Sequence, residues 1–181
     1  MVSAIGHISG GKLNPAVTLG LLFSGKLDLK TAASEIVAQL AGATLAAICL
    51  KIIFPPIAAE AVHLGTPALH AEISPAIGIL IEAILTFLLV FVVYATAIDP
   101  RGSFKSIAGL GIGFTILMGI LAAADLTGAA INPARAFGPA LISMDWSNHY
   151  VWWIGPIVGG TLAAWLYGQF MMKNNERNAK V

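Results

Sequence analysis

The stretches that decide the fold are GGKLNPAVTLG at residues 10–20 and GAAINPARAFG at residues 128–138. Both place Asn-Pro-Ala after glycine and before small and aliphatic residues. Asparagine is a favoured N-cap, and a proline in the first helical position loses no hydrogen bond, because the N–H there has no partner within the helix. The sequence therefore predicts one helix beginning after Asn14 and another beginning after Asn132.

Both predicted helices are too short to cross a membrane. The segments that contain them, 9–23 and 127–143, offer only about ten helix-compatible residues after the proline, whereas a spanning helix needs about 20. If each asparagine oxygen caps its own helix, its amide group is left free to donate hydrogen bonds into a lumen. Two helix N-termini that meet would place partial positive charges face to face, which repels a cation and orients a neutral hydrogen-bonding molecule.

The chain has the composition of an integral membrane protein. Of its 181 residues, 57% are hydrophobic and 10% are charged, whereas a soluble domain carries about 25% charged residues. The net charge of +1, with scattered cations, gives no footprint for nucleic acid. Cys49 is the single cysteine, so neither a disulfide framework nor a cysteine-based metal site is predicted. The first residues lack the pattern of a signal peptide, and no cofactor is implied.

Four further apolar runs are long enough to span a bilayer as helices. They cover residues 31–50, 77–98, 106–124 and 151–172. Polar residues and helix breakers end each run, with Lys51 closing the first and Asp125 the third. The predicted fold class is therefore an all-α membrane protein with four full spans and two shorter helices.

The positive charges predict the orientation of these spans. Cations cluster before the first span, between the second and third, and after the fourth, namely Lys12, Lys26, Lys30, Arg101, Lys105, Lys173, Arg177 and Lys180. By the positive-inside rule these three regions belong in the cytoplasm, and so does the carboxyl terminus. Arg135 is the sole firm cation of the opposite connections. We expect a multi-pass protein of a prokaryotic cell membrane.

An internal repeat links each short helix to a span. AGATLAA at 41–47 follows the first motif and GGTLAA at 159–164 follows the second. We assign the repeats to residues 9–54 and 77–172 of one membrane domain, 1–181. On the predicted orientation, the two short helices enter from opposite sides. Inverted repeats with broken helices near the midplane are typical of membrane transport proteins, because irregular backbone at that depth must line a cavity.

These residues resemble the aquaporin, or major intrinsic protein, family. The resemblance rests on GHISGGKLNPAVTLG, AQLAGA, IEAILTFLLVFVVYATA, TGAAINPARAFGPAL and NHYVWWIGPIVGG, and covers residues 7–167. It implies an aquaporin-like inverted repeat with two re-entrant half-helices, a passive water channel that excludes protons and ions, and assembly as a homotetramer. The implied centre of the pore is formed by the paired motifs Asn14, Pro15, Ala16, Asn132, Pro133 and Ala134.

The resemblance also implies a selectivity filter. Arg135 corresponds to the family's filter arginine, which repels cations and donates hydrogen bonds to the solute. Ile120 and Ala129 correspond to two other filter positions. Strict water channels usually carry histidine at the first of these, so Ile120 implies a less polar and wider filter. Ala136 stands where glycerol facilitators carry aspartate, which favours water, with ammonia, urea or hydrogen peroxide as further solutes.

Several other polar residues fall within or near the predicted helices. Gln39 and Glu82 lie inside spans, and the resemblance implies that they hold loop backbone by hydrogen bonds. His7 is expected at a helix end or near the pore, because no second ligand lies at metal-binding spacing. Glu35 lies near the membrane edge and is interpreted as a snorkelling side chain. Since His7 and Ser9 make no convincing catalytic pair, the chain is predicted not to be an enzyme.

The two repeats are unequal in length ahead of their motifs. Only thirteen residues precede Asn14, whereas two predicted spans of the second repeat, 77–98 and 106–124, precede Asn132. The family fold has six spans, so the resemblance implies that the first span, most of the second and the fourth filter residue are missing, as in a fragment or a truncated member. The alternatives are a truncated non-conducting member or subunit, a glycerol-type facilitator, and a secondary transporter, which would need more midplane carboxylates than Glu82.

Overall fold

The computed structural model describes residues 1–102 and 107–172. These ranges contain no strand. They form eight α-helices: α1 Val2–Ser9, α2 Pro15–Phe23, α3 Leu29–Ile53, α4 Pro56–Ala61, α5 Pro75–Val93, α6 Ala108–Thr127, α7 Pro133–Ser143 and α8 Val151–Leu166. A π-helical turn, Tyr94–Ile98, extends α5, and another, Tyr167–Met172, extends α8.

Three of the described helices are long and apolar enough to cross a membrane: α3, α5 with its π turn, and α6. Each corresponds to a predicted span. The third starts in the sequence prediction at Ser106, which lies outside the described residues. Its predicted end at Asp125 is wrong, because α6 continues to Thr127 and is closed by Gly128 in the left-handed conformation (φ 75°). A single acidic residue did not stop a helix whose glycine cap comes three residues later.

The fourth predicted span is not one regular α-helix. The α-helical part of α8 covers 16 residues, Val151–Leu166, and the remaining turns wind as a π-helix to Met172. The sequence predicts only a connection over residues 54–72, whereas the structure has two helical elements there. That connection contains α4 and a 3₁₀ turn, His63–Gly65.

The two half-helices pack against the opposite repeats. α2, from the first repeat, packs on α8, and α7, from the second repeat, packs on α3. Glycines allow both close approaches. A Cβ at Gly20 would lie 3.2 Å from the carbonyl oxygen of Gly160, and one at Gly138 would clash with the carbonyl oxygen of Ala43. Each repeat therefore provides the packing surface for the half-helix of the other, and this packing brings the two Asn-Pro motifs together.

The tightest packing lies between α5 and α8. Gly155 and Gly159 of α8 bring its backbone close to α5, where a Cβ at Gly155 would lie 2.7 Å from the carbonyl oxygen of Ile79. Small residues let transmembrane helices approach in this way. By contrast, α3 buries only Ala32 and Ala47. The two repeats are thus unequally enclosed, and one face of α3 stays open.

Candidate functional site

The Asn-Pro motifs begin their helices as the sequence predicts. Asn14 is the N-cap of α2, and its Oδ1 accepts a hydrogen bond from the backbone N–H of Ala16 at 2.9 Å. Asn132 is the N-cap of α7, and its Oδ1 accepts from Ala134 at 3.0 Å and from Arg135 at 3.3 Å. Both asparagines have extended backbones, and proline takes the first helical position of each helix. The predicted caps are confirmed.

The two side-chain amides connect the loops to each other. Nδ2 of Asn14 donates to the carbonyl oxygen of Ile131 at 2.7 Å, and Nδ2 of Asn132 donates to the carbonyl oxygen of Leu13 at 3.0 Å. The expectation that both amide groups are left free is therefore wrong in part. Each amide uses one N–H to bind the opposite loop, and only its second N–H remains to face a solute.

The loop before Asn132 has an unusual backbone. Gly128, Ala129 and Ile131 have φ values of 75°, 41° and 56°. This left-handed region costs a residue with a Cβ roughly 1–2 kcal/mol, so Ala129 and Ile131 must be held there by their surroundings. Left-handed residues turn the peptide groups of the loop, which brings the N–H groups of Ala130 and Ile131 toward α5.

Glu82 holds this loop from α5. Its side chain is fully buried, and its carboxylate accepts hydrogen bonds from the backbone N–H of Ala130 at 2.9 Å and of Ile131 at 2.7 Å. It also accepts from the hydroxyl of Thr127 at 2.7 Å. These are hydrogen bonds of the kind expected for Glu82, and a buried carboxylate with three donors is well satisfied.

The roles of Thr127, which binds Glu82, and of Trp152, which binds Thr127, were not foreseen from the sequence. Thr127 also accepts from the N–H of Ala129 at 3.2 Å through its hydroxyl, and its carbonyl oxygen accepts from the indole of Trp152 at 2.9 Å. Thr127 and Trp152 are both buried. The only sequence signal for this network is a polar residue that immediately precedes the glycine ending α6.

Gln39 holds the first loop from α3. Its Nε2 donates to the carbonyl oxygen of Lys12 at 2.7 Å and to the hydroxyl of Thr18 at 2.9 Å. The contact with loop backbone matches the expectation for Gln39. The two loops are nevertheless held differently, because Glu82 accepts from N–H groups whereas Gln39 donates to a carbonyl oxygen.

Two cavities border the asparagine pair. The central cavity, of about 490 Å³, is lined by Asn14, Asn132 and apolar residues of α5 and α6. The lateral cavity, of about 660 Å³, lies along α3. Four residues line both cavities, namely Lys12, Leu13, Asn132 and Arg135. The residues at which the half-helices meet therefore form a wall that the two cavities share.

The structure brings together the residues assigned to the filter. Arg135, Ile120 and Ala129 all line the central cavity. Nη1 of Arg135 donates to the carbonyl oxygen of Gly65 at 2.8 Å. Gly65 has a φ of 81°, so this turn favours glycine. No pattern in the sequence indicates that the connection before α5 anchors this arginine.

His7 lies apart from these residues. It occupies the last turn of α1 and is exposed, which agrees with a helix end. It lines neither the central nor the lateral cavity. No group of three His, Cys, Asp or Glu side chains within residues 1–102 and 107–172 is arranged to hold a metal ion.

A polar cluster lies at the carboxyl-terminal end of α5, directly after its π turn. Asp99 is buried and makes two hydrogen bonds with the guanidinium of Arg101, one of them from Nε at 2.8 Å. Tyr167 donates to the same carboxylate at 3.2 Å, and Arg101 donates to the carbonyl oxygen of Met171 at 2.8 Å. The hydrogen bonds from Arg101 hold the pKa of Asp99 well below its ordinary value. The cluster ties the end of α5 to the end of α8.

Comparison with known proteins identifies close relatives. The family model described as Major intrinsic protein matches residues 1–167. Aquaporin TIP4-4 of Zea mays is 46% identical over 172 residues, which cover 94% of this chain and 67% of the relative. Probable aquaporin TIP3-2 of Arabidopsis thaliana is 47% identical over 169 residues, covering 92% of this chain and 61% of the relative.

Aquaporin-4 of Mus musculus is 41% identical over 167 residues, covering 92% of this chain and 51% of the relative. The chain thus spans between about half and two thirds of the length of these relatives. An X-ray structure of the aquaglyceroporin from Plasmodium falciparum has the same fold, with a TM-score of 0.80 at 24% identity over 95% of this chain and 77% of that chain. These relatives come from two plants and a mammal, so they do not support the expected prokaryotic membrane.

Proposed function

The chain belongs to the major intrinsic protein family, whose aquaporins are multi-pass proteins of membranes, and on this premise we propose that it forms a passive channel for water. The observation that carries the proposal is the pair Asn14 and Asn132. Their half-helices meet with their N-termini together, and both asparagines line the central cavity. No chemical reaction and no cofactor is part of this function.

The geometry supports water as the permeant. One N–H of each asparagine is used by the opposite loop, so each amide is fixed and its second N–H has a defined direction. A water molecule at this point accepts from the two amides and is turned so that its own hydrogens point away from them. The partial positive charges of the two helix N-termini disfavour a cation at the same place.

Arg135, Ile120 and Ala129 form the selectivity filter in this proposal. Their common position on the central cavity supports it, as does the anchoring of Arg135 by the carbonyl oxygen of Gly65. Ile120 and Ala129 offer no polar side chain, so the filter admits small neutral solutes such as ammonia, urea or hydrogen peroxide beside water. Arg135 excludes cations. His7 has no part in it.

Orientation and assembly complete the proposal. The cations of the connections place the carboxyl terminus in the cytoplasm by the positive-inside rule. Four of the cations that carry this assignment lie outside the described residues, namely Lys105, Lys173, Arg177 and Lys180. We also propose assembly as a homotetramer with one pore in each protomer, supported by membership of the family.

The proposal is tested by osmotic shrinkage of proteoliposomes that contain the chain, followed by stopped-flow light scattering. We expect fast shrinkage with a weak temperature dependence. Arg135→Val should keep the water flux and raise the leak of small cations, whereas Asn132→Asp should lower the water flux. Lys30→Met serves as the control, because Lys30 is exposed and borders neither cavity. Shrinkage no faster than that of empty vesicles contradicts the proposal.

A second candidate is supported by the open face of α3. Ala38, Gly42 and Ala46 are exposed and line the lateral cavity, so lipid would form part of the wall beside Arg135. In this alternative the chain does not conduct by itself and is a subunit that requires further helices. Vesicles that shrink slowly despite a folded, membrane-inserted chain favour it over the channel.

A further inference from the structure

Lys12 and Glu35 form an ion pair beside the asparagine pair. Nζ of Lys12 lies 3.0 Å from Oε1 of Glu35, and the two side chains are only 14% and 20% exposed. Nζ also donates to the carbonyl oxygen of Ser9 at 3.0 Å. The snorkelling expected for Glu35 is therefore wrong, because its carboxylate turns inward to the first loop. A pair that is this enclosed is screened by water and salt much less than a surface pair.

A closed ring of contacts fixes the pair. The other carboxylate oxygen of Glu35 accepts from the hydroxyl of Thr18 at 3.4 Å, and Thr18 accepts from Gln39 at 2.9 Å. Gln39 in turn donates to the carbonyl oxygen of Lys12 at 2.7 Å. Gly10 leaves room for the ammonium group, since a Cβ there would lie 2.6 Å from Nζ. Both the backbone and the side chain of Lys12 are thus held in place.

The cationic residue of the pair borders the central cavity. Lys12 lines the central and the lateral cavity, whereas Glu35 lines only the lateral one. Lys12 is therefore the member of the pair that borders the central cavity. Arg135, from the second repeat, also lines both cavities. Each repeat contributes one cation to the shared wall.

We propose that Lys12 is a second charge barrier of the passage, that it excludes cations together with Arg135, and that Glu35 is the residue that positions it. The barrier rests on the proposed channel function, whereas the positioning by Glu35 does not. A cation that has passed one of the two charges is still repelled by the other. A variant without Arg135 therefore still repels cations through Lys12. A neutral solute meets no such barrier.

The barrier is tested by sodium leak into proteoliposomes with an entrapped sodium-sensitive dye. We expect Lys12→Met to raise the sodium leak by roughly threefold or more. The sodium leak of the double variant, Lys12→Met with Arg135→Val, should exceed that of either single variant, because both charges repel cations from the same passage. Lys30→Met should match the unmodified chain. A Lys12→Met variant that inserts normally and leaks no more than Lys30→Met overturns the barrier, whether or not water flux is observed.

The positioning role has a readout that needs no flux. A small amine-acylating reagent is applied to the vesicles, and modification of Lys12 is measured by mass spectrometry relative to Lys30 in the same digest. In the unmodified chain we expect Lys12 to react more slowly than Lys30. Glu35→Gln should raise the Lys12 rate severalfold, since the ammonium group loses its carboxylate, and leave Lys30 unchanged. An unchanged ratio overturns the role of Glu35.

These two measurements separate the inference from the channel itself. Slow shrinkage of vesicles together with a raised Lys12 rate in Glu35→Gln contradicts the channel and supports the positioning by Glu35. Fast shrinkage with an unaltered sodium leak in Lys12→Met supports the channel and overturns the barrier.

Discussion

The side-chain amide nitrogen of Asn14 lies 2.7 Å from the backbone carbonyl oxygen of Ile131, the residue that directly precedes Asn132. The reciprocal hydrogen bond joins Asn132 to the carbonyl oxygen of Leu13, which directly precedes Asn14. Each asparagine thus caps its own helix with oxygen and binds the opposite loop with nitrogen. Because both ends of the amide are engaged, neither side chain can rotate without losing hydrogen bonds.

The cap and the cross-link of Asn132 can be separated by two substitutions. Asn132→Ser keeps an oxygen that can cap α7 and loses the donor to Leu13, which we expect to cost about 1 kcal/mol of unfolding free energy. Asn132→Ala loses both and should cost about 1 kcal/mol more. Reversible unfolding in mixed micelles measures the difference. Equal losses in the two variants would mean that the cap contributes nothing.

Substitution of Gly138 should disturb the packing of α7 on α3. A Cβ there clashes with the carbonyl oxygen of Ala43, and backbone cannot move aside as a flexible side chain can. We expect Gly138→Ala to destabilise the fold by about 1–3 kcal/mol, the usual cost of overpacking. The matched control is Gly113→Ala on α6, where no atom lies within 4 Å of the added Cβ. Both are measured by thermal unfolding in detergent, and similar midpoints would refute the expected clash.

Glu82→Gln should loosen the second loop. The amide NH₂ of glutamine would face one of the two backbone N–H groups that the carboxylate binds, so a buried donor loses its acceptor. We expect a loss of about 1–3 kcal/mol in unfolding free energy. Hydrogen exchange of the amides of Ala130 and Ile131 gives a local readout, which should accelerate.

Glu72→Gln provides the control for Glu82, because Glu72 is exposed in the connection before α5. It should leave both stability and exchange unchanged. If Glu82→Gln kept the exchange rates of the unmodified chain, the loop would be held by its other contacts rather than by the carboxylate.

The stability contributed by Asp99 should persist into acid. Its pKa is depressed in the folded protein by the hydrogen bonds from Arg101, so this stability is present above the ordinary carboxyl pKa and is lost only as the pH falls toward the depressed value. We expect the chain to unfold at a higher temperature than Asp99→Asn at pH 7, with the same gap down to about pH 4. The gap should narrow only below that pH. A gap that closes between pH 7 and pH 5 would show that another group is responsible.

The sequence predicted the features of this fold that depend on local chemistry. The N-caps at Asn14 and Asn132 follow from the preference of a helix start for asparagine before proline, and the spans follow from the length of apolar runs. The predicted end of α6 at Asp125 comes too early, because the helix continues to the left-handed Gly128. A left-handed glycine is the stronger local signal for a helix end.

Features that depend on contacts between distant parts of the chain could not be predicted from the sequence. The hydrogen bond between Asn132 and Leu13, and that between Arg135 and Gly65, join residues that no local pattern relates. The snorkelling predicted for Glu35 is wrong for the same reason, since its partner Lys12 belongs to a loop that precedes α2. Such pairings become visible only when the helices are placed side by side.

The exchange of half-helices between the repeats bears on how the protein is made. Synthesis proceeds from the amino end, so α2 leaves the ribosome long before α8, the helix on which it packs. Gly20 lacks its neighbour Gly160 during that interval, because this contact depends on a long-range closure of the chain. The packing between the two repeats is therefore incomplete while the chain is growing. It is completed in a late step, when α8 is released into the bilayer.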